Sequence, residues 1–167
     1  MAEKVGEIIS HWYHLTEGLQ CSSKAFYDAV EQAINRRKLP DVHVSRVDHF
    51  EGSLFSSKRE YLRVRRKEHI FDICAAPFGP GAFFVSWWLG EMPTGCLAIL
   101  APFLSRFLRP ITYYKLDTAL MFQESVHAAV LEILDGATKA KGLRALSEMD
   151  RKPILSGFFS RGGLRKG

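Results

Sequence analysis

Cysteine is scarce in this chain. Its 167 residues include only three, Cys21, Cys74 and Cys96. They are odd in number, widely spaced and form no Cys-x-x-Cys, so neither a disulfide framework nor a zinc knuckle organises the protein. Free thiols fit a reducing compartment. Long apolar runs are also missing. No stretch reaches the roughly 18 uncharged apolar residues of a spanning helix, and the nearest, residues 82–104, is broken by Glu91, Pro93 and Pro102. The opening MAEKVGEIISHWYHL lacks the basic and then apolar regions of a signal peptide. A cytoplasmic protein without a membrane partner is expected. Asparagine is almost absent, Asn35 being the only one. Neither an internal repeat nor a domain-dividing linker is visible.

Apolar residues make up 47% of the chain, and 12 are Phe. That is enough for one sizeable core, so residues 1–159 are expected to form a single domain and the basic tail, 160–167, to be disordered. The net charge is +5, and the excess is local. Lys58, Arg59, Arg63, Arg65, Arg66 and Lys67 crowd a stretch whose only acid is Glu60. Nucleic acid or an acidic protein would suit such a stretch, but a solvated strand face explains it as well. Nucleic acid is therefore not the expected partner.

Periodicity divides the chain into elements. Val5, Ile8, Ile9, Trp12 and Leu15 fall at helical spacing, predicting a first helix over 4–18. Ser22 or Ser23 caps a second, which carries Phe26, Val30, Ala33 and Ile34 on one side. Arg36, Arg37 and Lys38 sit in its last turn, where cations complement the helix dipole, and Pro40 enforces the stop. Strands are predicted over 42–50, 61–67, 70–76 and 83–89. Short links between them imply an antiparallel meander. Pro77, Gly79, Pro80 and Gly81 make the corner between the last two. Beyond Pro110 a strong helix runs from about 112 to 134, with Gly136 and Gly142 ending regular structure and a short helix following over 143–149. The expected class is α+β: N-terminal helices, an antiparallel β-meander of about four strands, and C-terminal helices packed on one face.

The chemistry centres on Cys96. Gly90, Pro93 and Gly95 break regular structure just before it, which places a thiol on a loop at the start of an apolar run. Cys74, inside a strand, reads as a packed residue. A small buried hydrophobe is the rival reading for Cys96 too.

Two short motifs carry a resemblance. Ala76-Pro77-Phe78-Gly79-Pro80 resembles the Tyr-Pro-Phe-x-x-Pro corner of ubiquitin-conjugating enzymes, and Gly95-Cys96-Leu97-Ala98-Ile99-Leu100 resembles the Cys-Leu-Asp-Ile-Leu around their nucleophile. Helix, meander, corner, last strand, cysteine and helices follow in that family's order over roughly residues 22–135. The His-Pro-Asn that precedes the family's cysteine is absent, and Ala98 replaces its Asp, so the chain looks like a stripped-down bacterial relative. The resemblance implies a ubiquitin-conjugating-like transferase that needs no cofactor or metal. It would take a ubiquitin-like modifier from an activating enzyme as a thioester on Cys96 and pass it to a target protein, in a setting such as bacterial antiviral defence.

Thr94 and backbone amides would then stabilise the oxyanion. Gln123 and His127, polar positions in the main apolar stripe of the long helix, would serve as amide donor or proton acceptor, unless they are simply a polar pair satisfied in the core. Asp117 would orient an amine or only favour the helix dipole. Arg36, Arg37 and Lys38 would dock the activating enzyme, as the family's first helix does. Two rivals stand beside this reading: a non-catalytic protein-interaction module using the Trp87/Trp88 strand or the basic strand, and a nucleic-acid binder using Arg63, Arg65, Arg66 and the tail. The tail's Arg161-Gly162-Gly163 resembles the end of a ubiquitin-like modifier, but that fold begins with a hairpin.

Overall fold

A computed structural model describes residues 8–50, 58–92 and 112–155. The order of elements is β1 (Ile8–Glu17), α1 (Ser23–Arg36), β2 (Val42–Phe50), β3 (Lys58–Arg66), β4 (His69–Phe78), β5 (Ala82–Glu91), α2 (Tyr113–Ala140) and β6 (Ile154–Leu155). Five antiparallel strands form one sheet in the order β2-β3-β4-β5-β1, and the two-residue β6 adds to the β1 edge. Both helices lie on one face of it. The class is α+β, and β2 to β5 form the expected meander. None of the helices among the described residues is long and apolar enough to cross a membrane.

The first element corrects the sequence reading. Residues 8–17 are a strand paired with β5, not a helix. Ser10, Trp12 and Thr16 point into the protein, while Tyr13 and Leu15 are exposed. The buried face thus carries two hydroxyl residues and the open face two apolar ones, an inversion that hides the period of two. β-branched and aromatic residues are common here and favour a pleated surface, and a register shift between Ile8 and Ser10 further blurs the alternation.

The rest of the meander follows its residues. Ser22 caps α1, its hydroxyl accepting from the Ala25 amide at 3.1 Å. Phe26, Val30, Ala33 and Ile34 bury one stripe against the sheet. The β4–β5 corner falls at Gly79 to Gly81, with Gly79 at φ +65°, a backbone that side chains disfavour; Pro77, expected in the corner, still lies in β4 opposite Phe83. β3 pairs with β4 from Leu62 to Arg66 only. Beyond that, the Tyr27 hydroxyl is inserted between the strands, donating to the Glu60 carbonyl and accepting from the Ala75 amide, both at 2.9 Å.

The long helix runs past its predicted end. Gly136 sits inside α2 with open space where a Cβ would be. A single glycine costs about 1 kcal/mol relative to Ala, and the buried Thr138 beyond it continues the inward stripe. The helix stops at Gly142, φ +65°. There the Gly142 amide bonds the Lys139 carbonyl and the Leu143 amide bonds the Thr138 carbonyl, both at 3.0 Å, the paired pattern of a Schellman cap. No short helix follows. Ser147 and Asp150 close a turn instead, the hydroxyl donating to the carboxylate at 2.6 Å. A single cluster of buried apolar side chains joins both helices to the sheet, with Phe71, Val85 and Trp87 of the sheet and Phe122, Val126 and Val130 of α2 among its members.

Candidate functional site

Cys96 and Thr94 lie outside the described residues. Of the positions read as their support, Gln123 and His127 share one buried stripe of α2, while Asp117 is exposed one turn in from the helix start.

Gln123 meets β1 directly, its side-chain carbonyl accepting a hydrogen bond from the Ser10 hydroxyl. His127 lies between two indoles, with Trp12 and Trp87 both edge-on to its ring. Its Nδ1 accepts from Trp87 Nε1 at 2.9 Å. Its Nε2 lies 2.7 Å from the Arg151 carbonyl oxygen. An indole only donates and a carbonyl only accepts, so the partners fix a neutral ring protonated on Nε2. Burial pushes the pKa below the usual histidine value, and the Arg151 carbonyl pulls it partly back up. With both nitrogens occupied, this ring ties β5 to the segment after α2, and Trp12 Nε1 ties β1 to it through the Asp150 carbonyl at 2.6 Å. The two side chains thus take the role of a satisfied core polar pair.

Arg36 and Arg37 are engaged by the second helix. Both guanidinium groups reach Glu132 of α2, at 2.7 and 2.6 Å. Arg37 chiefly, then Arg36, holds that carboxyl below its usual pKa. The pair joins the two helices at the surface. Lys38 is exposed at φ 48°, where the chain turns toward β2.

The sheet face opposite the helices carries a second polar cluster. Arg63 and Asp72 are cross-strand partners joined by two bonds of 2.8 Å, Nε to Oδ1 and Nη2 to Oδ2. Only 5% of Arg63 and 4% of Asp72 is exposed. His49 completes the group, its Nε2 3.3 Å from Asp72 Oδ2. Beside it the buried Cys74 lies opposite Ser86. Burial raises the Cys74 pKa against the opposing pull of Arg59 and of Tyr61, Arg59 and Ser86 as hydrogen-bond partners. This thiol stays protonated and packed, as its place in a strand implied. Further across the same face, Trp88 stacks on its cross-strand neighbour His11 at 4.7 Å, and Trp88 and Tyr13 remain 41% and 59% exposed. Trp87, by contrast, is wholly buried.

Sequence reasoning missed the Arg63–Asp72 pair. The signal was available: a tight turn at Lys67–Glu68 makes positions 63 and 72 direct partners. No cluster of three metal-ligating side chains occurs among the described residues. No protein family, no curated protein and no solved structure matches the chain.

Proposed function

We propose that this chain is a ubiquitin-conjugating-like carrier, in which Cys96 receives a ubiquitin-like modifier from an activating enzyme and passes it to a target nucleophile. The observation that supports the reading is the succession from Ser22 onward. A capped helix leads into a four-stranded antiparallel meander in sequence order, β2-β3-β4-β5. Its last corner, Gly79 to Gly81, follows Pro77 and Phe78 at the end of β4 and so carries half of the Pro77-Phe78-Gly79-Pro80 motif, and Cys96 follows β5 closely in the sequence. The N-terminal strand beside β5 departs from the family order, which begins with a helix.

The chemistry asks little of the protein. The Cys96 thiolate attacks the modifier's thioester carbonyl and the activating enzyme's thiolate leaves, so one thioester replaces another. A target amine then attacks the new thioester, loses its proton and releases Cys96. Free cysteine, with a pKa of about 8.5, supplies a few per cent thiolate at neutral pH, and bound partners supply orientation. Gln123 and His127 are engaged inside the core, which leaves backbone amides and Thr94 as oxyanion donors.

The test is incubation with the cognate modifier, its activating enzyme and ATP. A covalent adduct should form that thiol reductants cleave. Cys96→Ser should abolish the reducible adduct while Cys21→Ser and Cys74→Ser keep it. If an activating enzyme already charged with modifier yields no adduct, the proposal is wrong.

One observation favours a second reading, a non-catalytic protein-interaction module. Tyr13, Leu15 and Trp88 are exposed large side chains on adjacent strands of the sheet face opposite the helices, and contiguous exposed apolar patches mark interaction sites. The nucleic-acid reading gains less, since Arg63 is engaged by Asp72 and Arg66 Nε donates to the Pro40 carbonyl at 3.1 Å.

A further inference from the structure

The segment that closes over His127 is held by polar ties. Leu146 is buried at its start, but from Ser147 to Ile154 no side chain is buried. The Arg151 carbonyl accepts from His127 Nε2 at 2.7 Å, and the Asp150 carbonyl accepts from Trp12 Nε1 at 2.6 Å. The Arg151 guanidinium makes two bonds of 2.9 Å to Asp135 of α2, and β6 adds a two-residue pairing with β1. A cleft of about 260 Å³ runs between this strap and β1, with Trp12, His14, Asp150 and Lys152 in its walls. Elements with few buried apolar contacts open at lower free energy than the core.

The hydrogen bonds of the His127 ring depend on its being neutral. Nδ1 accepts from Trp87 Nε1 at 2.9 Å, and an indole N–H only donates. A proton on Nδ1 sets two donors face to face. The imidazolium then keeps one bond where the neutral ring had two, and both a buried charge and a stranded buried donor are costly. Trp87 is wholly buried in the core, so the exposed strap is the neighbour that can give way. Burial is the chief effect that keeps the ring neutral. The Arg151 carbonyl works against it, and Glu124 and the Arg151 charge add smaller, opposing pulls. No counter-ion is at hand. Glu124 is exposed on the same helix, and Asp135 is taken by Arg151. On β1, His14 stacks on Trp12 and lies near Asp150, whose carboxylate is held by Ser147. β5 presents the neutral Trp87.

We propose that residues 147–155 are an acid-released strap: His127 Nδ1 takes a proton from solvent, its bond to Trp87 breaks, and the strap lifts from β1 and α2 so that the imidazolium reaches water. Opening carries β6 away and bares the outer edge of β1 at Ser10 and His11. At neutral pH the strap is closed. The device does not depend on Cys96.

Hydrogen–deuterium exchange of the full chain, read by mass spectrometry and corrected for the intrinsic pH dependence of exchange, tests the proposal. While the closed ring stays neutral, each pH unit below about 6.5 should raise the open fraction about tenfold. Exchange in peptides spanning 147–155 should rise with it, while α1 and β4 stay protected. Asp135→Asn loosens the strap at the surface without touching the ring, so the same exchange should be reached at a higher pH. His127→Gln offers Trp87 a carbonyl and Arg151 an amide without titrating, and its strap should exchange alike at every pH. Strap exchange that is flat from about pH 7.5 to about pH 4.5 overturns the proposal. So does a rise shared by α1, a rise that vanishes in Asp135→Asn, or one that persists in folded His127→Gln. Should His127→Gln not fold, the other two profiles decide.

Discussion

Replacing Asp72 by alanine removes the carboxylate that Arg63 holds through two 2.8 Å hydrogen bonds. Both side chains are 6% exposed, so the guanidinium is left in a nearly dry site without this anion. Removing one partner of a buried pair costs about 3–5 kcal/mol, a large share of the roughly 5–15 kcal/mol that stabilises a domain. For a chain of this size that is a fall in melting temperature of roughly 6–20 °C. Removing both charges is a different perturbation. Arg63→Met with Asp72→Leu fills similar volume without a charge to desolvate, and such exchanges are neutral or stabilising by about 1–4 kcal/mol. Urea unfolding followed by tryptophan fluorescence measures both variants. A single substitution costing under about 1 kcal/mol, or a double variant as unstable as Asp72→Ala, would refute the reasoning.

Three further outcomes concern His127, Gln123 and the cap of α1. The His127 pKa lies below the unfolded value of 6.5, so its contribution is complete above about pH 6.5 and is lost as pH falls below that point. Urea midpoints should drop on acidification, and His127→Gln should flatten the part of that dependence due to this ring. Gln123→Leu strands the Ser10 hydroxyl and should cost about 1–3 kcal/mol, most of it recovered when Ser10→Ala is added; a double variant no better than the single contradicts the pairing. Ser22→Ala removes the α1 cap and should cost about 1 kcal/mol in thermal or chemical unfolding, with no change in any Cys96 adduct.

The meander was legible because its signals are local. Proline and glycine at 77–81 mark a corner whatever surrounds them, and Ser22 caps a helix through the amide three residues on. β1 was misread because its inward positions include Ser10 and Thr16 while Leu15 and Tyr13 face out. Its hydroxyl at position 10 is satisfied by Gln123, more than a hundred residues away, and no window on the sequence contains both. Gln123 and His127 stood out correctly as polar residues in an apolar stripe. Their partners decide what they do, and those partners lie on β1, β5 and the segment after α2. Arg36 and Arg37 likewise read as last-turn cations, and their partner Glu132 lies on the other helix, about a hundred residues on. The resemblance around Cys96 rests on sequence alone.

Accessibility of that thiol in the native protein is the most direct test of the carrier reading. A brief pulse of iodoacetamide on the folded chain, followed by mass spectrometry of its peptides, reports each cysteine separately. Cys96 should be alkylated rapidly, while Cys74, 1% exposed, reacts only after urea is added. Cys96 as protected as Cys74 in the folded chain would contradict it.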